Sequence, residues 1–271
     1  MLRKHRLDEM SWKEAEEAFG RSDTVIMAVG TLHSHGPTPI GIDTSSVARI
    51  ADEVGERTGL VTLPAVPYGE NDKMALYPGS ITISPNVLEA FYTDICRSLH
   101  RNGVRKVIVL NGHGGNREPL VRTGRNVREM GMLIAVLEWW NIGNKITPEA
   151  FPEGTHIWEL AVALAVGGTE IADVRAGGYK GEWGVHPPLR RLFGEAITPV
   201  GFSNFEYRQA PVIIPIDCWD VDVESEPEIR KDSLETLKRR GEQSIERIVE
   251  YVVAFAKEFE KIDPAKALRP A

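Results

Sequence analysis

Residues 106–116 read KVIVLNGHGGN, and the fold class can be read from this stretch. After its first lysine the run is apolar through Leu110, which is typical of a strand buried on both faces of a parallel sheet. A glycine-rich turn follows, and the pattern then predicts a helix that ends near Met130. The stretch therefore predicts one strand–turn–helix unit of an α/β protein, with His113 in the turn at the carboxyl end of the strand.

The same alternation of strand and helix continues on both sides of this unit. It predicts strands at 24–29, 60–66 and 132–139, helices at 43–57 and after Ser84-Pro85, and a closing helix at about 227–261. We therefore expect the α/β class, with a mostly parallel, doubly wound sheet and a long C-terminal helix. Residues 141–156 and 175–217 are rich in Gly, Pro and aromatic residues and are predicted to be long loops. No internal repeat is visible, so a single domain over residues 1–271 is expected.

The composition excludes several classes of protein. Of the 271 residues 42% are hydrophobic and 26% are charged, so the chain can bury a core and is not disordered as a whole. The net charge of −7 argues against a nucleic acid partner. Cys96 and Cys218 have no CxxC partner, which fits a reducing compartment. The first 19 residues lack the apolar core of a signal peptide, and no run approaches a membrane span, so a cytoplasmic protein with no membrane partner is expected.

Histidines at two strand ends are the candidate functional residues. His33 and His35 follow the first predicted strand two residues apart, a spacing that places both side chains on one side of an extended chain, with Cα atoms about 6–7 Å apart. Asp43 begins the next helix, and His113 follows the strand at 106–110. Because ligands of open parallel sheets bind outside the carboxyl ends of the strands, these groups predict a site for Zn²⁺, Mn²⁺ or Fe²⁺.

Each of these features also has a simpler interpretation. A single HxH in a loop is often incidental, and NGHGGN could cradle a phosphate at a helix N-terminus. Asp43 could serve only as a helix N-cap. Taken together, three histidines and an adjacent aspartate at two strand ends favour a metal site.

The sequence resembles the creatininase family of metal-dependent amidohydrolases. The family motif G-S-x-E-Q-H-G-P-H-L-P-L-G-T-D aligns with residues 30–43, GTLHSHGPTPIGID, and the family motif N-G-H-G-G-N is intact at 111–116. A family segment F-P-G-T-I-S aligns with YPGSIT at 77–82, and H-A-G-x-x-E-T-S-L-M-L-A-L aligns more loosely with residues 156–165. The resemblance covers about residues 24–170, with a looser match in the final helix.

The resemblance implies an αβα sandwich that hydrolyses a cyclic or linear amide at a binuclear metal site. It implies one or two divalent ions per chain, most often zinc, with manganese or iron as other candidates, and a homo-oligomer, commonly a hexamer. The ligands implied by position are His33, His35, Asp43, His113 and Glu159, with Asp43 bridging two ions. The implied catalytic residues, which would move a proton, are His156 and Glu159. The candidate residues for contacts with a small-molecule substrate are Tyr68, Glu70, Asn116 and Trp158.

Four departures from the family pattern lie at this site. His33 stands where the family has glutamate, and the interval from His35 to Asp43 is one residue shorter. Met74 occupies the place of a family histidine, and His156 precedes Glu159 by three residues instead of five. The change at His33 raises the formal charge of a two-ion site from about +1 to about +2. The departures favour a substrate other than creatinine on the same scaffold.

Three alternatives stay open. The same scaffold could cleave a C–C bond in a cyclic diketone of the oxidised inositol type, because that reaction also uses activated water at a carbonyl. An amidohydrolase barrel also carries HxH after its first strand, but it needs about eight βα units and about five are legible here. A non-catalytic sugar- or nucleotide-binding α/β protein would make the histidines incidental, and metal analysis would distinguish it.

Overall fold

The computed structural model of the chain describes most of the sequence. The described residues are 5–35, 38–72, 75, 78–148, 157–171, 196–201, 204–214 and 231–267. In this part of the chain, no helix is both long and apolar enough to cross a bilayer.

A parallel sheet forms the centre of the fold. Its described strands are β1 (Thr24–Val29), β2 (Val61–Thr62), β3 (Lys106–Asn111) and β4 (Leu133–Glu138), in the order β2-β1-β3-β4. All three pairings are parallel, and the register places Val29 beside Asn111. The carboxyl ends of β1 and β3 therefore lie side by side at one edge of the sheet.

Helices cover both faces of this sheet, so the expected α/β fold is confirmed. They are α1 (Trp12–Arg21), α2 (Ile42–Thr58), α3 (Pro85–Arg101), α4 (Arg117–Arg128), α5 (Trp139–Ile146), α6 (Ile157–Gly167) and α7 (Lys231–Glu260). Alternate residues of the strands serve opposite faces: Ile26 and Ile108 pack with α2 and α7, while Val25 and Val107 pack with α3 and α4. The two hydrophobic layers account for the unbroken apolar character of β1 and β3.

A buried lysine ties β3 to the end of α7. Lys106 is 3% exposed, and its Nζ donates to the backbone oxygens of Glu260 at 2.6 Å and Ile262 at 3.1 Å. The same Nζ lies 3.0 Å from Asp23 Oδ1. Lys106 thus supplies donors and positive charge at a helix C-terminus, where the final carbonyls lack partners within the helix.

Two elements predicted from the sequence were wrong in extent. The strand expected at 60–66 is reduced to Val61–Thr62, followed by an isolated bridge between Val66 and Val29. The loop expected at 141–156 begins inside α5, because Trp139, Ile142 and Ile146 recur at helical spacing and pack into the core.

The segment 175–217, expected to be a loop, contains a small antiparallel sheet. Its strands are β5 (Ile197–Gly201), β6 (Asn204–Tyr207) and β7 (Ala210–Ile213), paired in that order. Arg208 and Gln209 form the turn between β6 and β7 with φ angles of 50° and 66°. Because glycine and asparagine usually occupy such turn positions, the sequence carries no ordinary hairpin signal there.

Candidate metal centre

The three histidines converge at the carboxyl edge of the sheet. His33 and His35 lie beyond β1, where the backbone N–H of His33 donates to the carbonyl of Ile40 at 3.0 Å. His113 lies beyond β3, and Asp43 is the second residue of α2. Gly41 occupies the N-cap of α2, and no side chain caps this end, so the N-cap interpretation of Asp43 is wrong.

Three ligand atoms form one compact triangle. His33 Nε2 and His113 Nδ1 each lie 3.1 Å from Asp43 Oδ2, and the two nitrogens lie 3.2 Å apart. Ligands of a tetrahedral zinc ion, with bonds of about 2.0–2.1 Å, lie about 3.3 Å from one another. The triangle therefore has the dimensions of a set of metal ligands.

The other carboxylate oxygen of Asp43 faces His35. His35 Nε2 lies 2.9 Å from Asp43 Oδ1. This contact lacks hydrogen-bond geometry, and the buried Nε2 has no hydrogen-bond partner among the described residues. His33, His35 and Asp43 present ligand atoms that all lie within 4.8 Å of one another. Asp43 can therefore serve two positions, one at each of its oxygens.

The imidazoles direct their other nitrogens away from Asp43. His33 Nδ1 lies 3.0 Å from the carbonyl oxygen of Ser34, an acceptor that holds a proton on Nδ1 and leaves a lone pair on Nε2 when the ring is neutral. That lone pair then faces Asp43 Oδ2, which is itself an acceptor. A divalent cation between them removes this conflict, and a set of imidazole nitrogens and carboxylate oxygens suits Zn²⁺, Mn²⁺ or Fe²⁺.

The electrostatics of the site follow from burial and close charges. Burial lowers the pKa of His33 below its ordinary value and so favours the neutral ligand form. Burial also opposes charge on His35, but the carboxylates of Asp43 and Glu159 outweigh it and raise the His35 pKa well above its ordinary value. Burial disfavours the carboxylate of Asp43, yet the nearby imidazoles hold its pKa well below the usual range. Asp43 is thus an ionised, buried carboxylate.

Glu159 contacts the outer nitrogen of His35. Its Oε2 is 3.1 Å from His35 Nδ1, the nitrogen on the far side of the ring from Asp43. The contact resembles one in which a carboxylate orients a metal-binding imidazole through the ring nitrogen that does not bind the metal. The structure thus places Glu159 Oε2 beside the outer nitrogen of His35, and the assignment of Glu159 as a metal ligand stays a prediction.

The residues expected to contact substrate are in different surroundings. Tyr68 is 45% exposed and can meet a ligand, and Glu70 is partly buried. Asn116 is wholly buried: its Nδ2 donates to the carbonyl of Gly30 at 3.0 Å, and its Oδ1 accepts from the backbone N–H of Glu70 at 3.0 Å. Both ends of the Asn116 amide thus join loops around the site, and its contact with a substrate stays a prediction. His156, Met74 and the side chain of Trp158 lie outside the described residues.

Two residues of the motif at 111–116 have roles that the sequence analysis missed. Asn111 Oδ1 accepts from the backbone N–H of His113 at 3.1 Å and so fixes the turn that carries this histidine. Gly112 lies against the backbone carbonyl of Asp43, so closely that a Cβ at this position would overlap it. The glycine thus permits close approach between the turn after β3 and the first turn of α2.

The fold and the site together define an α/β protein with a buried histidine–carboxylate centre at the carboxyl edge of a parallel sheet. Residues 8–169 match the model of the Creatininase family, described as creatinine amidohydrolase. Because this match covers more than half of the chain, the chain belongs to the Creatininase family. The resemblance read from the motifs is confirmed.

Curated relatives share parts of the chain. Creatinine amidohydrolase of Pseudomonas putida is 27% identical over 168 residues, which cover 56% of this chain and 65% of the relative. The 3-dehydro-scyllo-inosose hydrolase of Thermotoga maritima is 31% identical over 39% of this chain and 34% of its own length. The mycofactocin precursor peptide peptidase of Mycolicibacterium smegmatis is 33% identical over 35% and 41% of the two chains. The chain thus matches less than two thirds of the length of each of these relatives.

Solved structures agree in fold over nearly the whole chain. A crystal structure of creatinine amidohydrolase has a TM-score of 0.68 at 24% identity and covers 94% of this chain and 97% of its own. A mutant creatininase of the Zn-Zn type and a structure named "Creatininase Mn" each give 0.69 at 23% identity, covering 94% of this chain and 98% and 99% of theirs. At this identity the likeness shows the fold alone.

Proposed function

We propose that the protein is a metal-dependent hydrolase of the creatininase type that adds water to the carbonyl of a small cyclic amide. The observation that carries the proposal is the convergence of three imidazole nitrogens on the two oxygens of Asp43, at 2.9–3.1 Å. The centre is buried and lies where ligands of parallel sheets bind. A phosphate cradle would not place a buried carboxylate at its centre, which disfavours the nucleotide-binding alternative.

The described side chains divide into two candidate ion positions that share Asp43. His33, His113 and Asp43 Oδ2 would hold one divalent ion, and His35 with Asp43 Oδ1 would hold a second. Zinc is the first candidate, since nitrogen and oxygen donors at these separations suit it, and manganese or iron remain candidates. When bound, such an ion polarises a carbonyl and makes water more acidic.

The residues of the chain have distinct tasks in this proposal. Asp43 stays ionised, and each of its oxygens would serve one ion position. Neutral His33 would donate the lone pair of its Nε2 to the ion. Glu159 orients His35 and shares a proton with its Nδ1 across 3.1 Å. We retain Glu159, together with His156, as the groups that move a proton during hydrolysis.

The substrate is proposed at the level of its reacting group. A cyclic amide is the first candidate, because the family model is described as creatinine amidohydrolase. A cyclic diketone cleaved at a C–C bond is the second candidate, and the 31% identity with a 3-dehydro-scyllo-inosose hydrolase supports it. Tyr68, exposed beside Gly69 and Glu70, is the proposed contact with either ring.

The assembly and location of the protein are also proposals. We infer a single hydrolase domain over residues 1–271, a cytoplasmic location, and a homo-oligomer that is a hexamer by family resemblance. The scarcity of cysteine supports a reducing compartment, and the net charge of −7 supports the absence of a nucleic acid partner.

A substrate screen with matched variants tests the proposal. Zinc-loaded protein is incubated with lactams, formamides and cyclic diketones, and the wild type is compared with Asp43→Asn. Hydrolysis of one class by the wild type and its loss in the variant is the expected result. Turnover that is equal in the two proteins would refute the role of the centre, and a C–C cleavage product would select the second candidate.

A further inference from the structure

The two ring nitrogens of His113 face different carboxylates. Nδ1 points into the cluster, 3.1 Å from Asp43 Oδ2 and 3.2 Å from His33 Nε2. Nε2 lies on the opposite edge of the ring, beside Gly115. A Cβ built on Gly115 would stand 2.9 Å from His113 Nε2 and still closer to Glu70 Oε2. The outer nitrogen of His113 and Oε2 of Glu70 therefore both lie within 2.9 Å of one point beside Gly115.

The backbone and side chain of Glu70 are both held in place. Its N–H donates to Oδ1 of the buried Asn116 at 3.0 Å, and its Oε1 accepts from the backbone N–H of Asp72 at 3.1 Å. With Oε1 bonded to this loop, Oε2 is directed toward Gly115 and the ring of His113. The orientation of the carboxylate thus follows from contacts on either side of it.

Gly115 keeps the space between the two groups open. Any side chain at this position would overlap both the backbone carbonyl and Oε2 of Glu70. The glycine therefore has a steric function: because it has no side chain, the outer edge of His113 and the Glu70 carboxylate can both lie beside it.

The other two histidines of the cluster already have outer partners. His33 Nδ1 contacts the carbonyl of Ser34 at 3.0 Å, and His35 Nδ1 contacts Glu159 Oε2 at 3.1 Å. An acceptor at His113 Nε2 would complete the pattern, and Glu70 Oε2 is the carboxylate oxygen that lies on that side of the ring, beside Gly115. Metal-binding imidazoles are commonly oriented in this way by a carboxylate or carbonyl on the second nitrogen.

We propose that Glu70 is a positioning residue of the metal centre, which accepts a hydrogen bond from His113 Nε2 through one water molecule. The hydrogen bond keeps the proton on Nε2 and the lone pair on Nδ1, and it makes the imidazole a stronger donor to a cation. Glu70 also places a negative charge beside a centre in which His33 is neutral. The inference rests on the proposed metal centre.

The test measures zinc affinity by chelator competition. The proteins compared are the wild type, Glu70→Gln, Glu70→Asp, His113→Ala and the double variant Glu70→Gln/His113→Ala, with Asp72→Asn as the control. Asp72 is the matched control because it lies two residues away in the same loop, and an amide there can still accept the hydrogen bond that Thr82 Oγ1 now donates at 2.8 Å.

A role through His113 predicts a characteristic pattern of affinities. Glu70→Gln should weaken zinc binding by about 10- to 100-fold, while Asp72→Asn changes it little. In the His113→Ala background, Glu70→Gln should have no further effect, since its partner is gone. Glu70→Asp should recover part of the loss.

A second readout follows the hydrogen bond itself. In zinc-loaded protein labelled with ¹⁵N-histidine, the Nε2 proton of His113 should resist exchange with water, and Glu70→Gln should accelerate its exchange. Equal zinc affinity in the wild type and Glu70→Gln, or additive losses in the double variant, would overturn the inference while leaving the metal centre in place. A wild-type protein that binds no zinc would overturn the proposed function and this inference with it.

Discussion

Replacing Asp43 by asparagine removes the one charge that both proposed ion positions share. Oδ2 faces His33 and His113, Oδ1 faces His35, and the residue is 6% exposed. An asparagine keeps the size and one oxygen, but it offers no negative charge and turns an NH₂ group toward one of the positions. The change therefore tests the charge of the centre with little change in packing.

The expected loss can be worked out from the contacts. Removing the charged partner from a buried, closely paired group costs about 3–5 kcal/mol, and about 1.4 kcal/mol corresponds to a tenfold change in affinity. Asp43→Asn should thus weaken zinc binding by at least about 100-fold. Each carboxylate oxygen of Asp43 serves a different ion position. Zinc binding should therefore weaken at both positions, and the number of zinc ions bound per chain should fall.

The matched control is Asp52→Asn on the same helix. Asp52 is about half exposed and lies 2.7 Å from His5, away from the cluster. The assay is zinc titration by calorimetry, with thermal unfolding of the metal-free proteins as a check on folding. Asp43→Asn that binds zinc as tightly as Asp52→Asn would refute the assignment of Asp43 as the shared ligand.

Two further predictions concern other parts of the molecule, and a third concerns the metal centre. Lys106→Met should lower the free energy of unfolding by about 2–4 kcal/mol in urea titrations, because the end of α7 loses its buried charged donor; exposed Lys257→Met should change it by less than about 0.5 kcal/mol. Burial raises the pKa of Cys96 to about 12, so in a Cys218→Ser background this neutral thiol should react with Ellman's reagent only after denaturation, and rapid reaction of the native protein would contradict its burial. His33→Glu adds a carboxylate to the centre and should increase occupancy of the second zinc position; unchanged stoichiometry and affinity would show that residue 33 is not a ligand.

The main sheet was predictable because its signals are local. The apolar runs of β1 and β3 are buried on both faces, and the helices between strands follow 3.6-residue spacing. The β6–β7 hairpin was not predictable, because Arg208 and Gln209 take left-handed conformations that their residue types rarely adopt. The strand predicted at 60–66 was too long, because the apolar run extends beyond Val61 and Thr62, the residues that pair with β1.

The cluster around Asp43 was predictable from the sequence, and its outer contacts were not. Parallel strands bring their carboxyl ends together, which is enough to place His33, His35 and His113 near one another. The contact of Glu159 with His35 joins residues 124 positions apart, and that of Asn116 with Glu70 joins residues 46 apart. Which nitrogen of His35 meets which carboxylate depends on packing between distant segments, and no local pattern encodes it.

The metal content of the wild-type protein shows whether the histidines around Asp43 form a metal centre. Chelator-treated protein is reloaded with zinc, passed through a desalting column, and measured by elemental analysis together with protein concentration. We expect at least one divalent ion per chain, approaching two if both oxygens of Asp43 are engaged. A folded protein that retains fewer than about 0.3 ions per chain would contradict the existence of the centre.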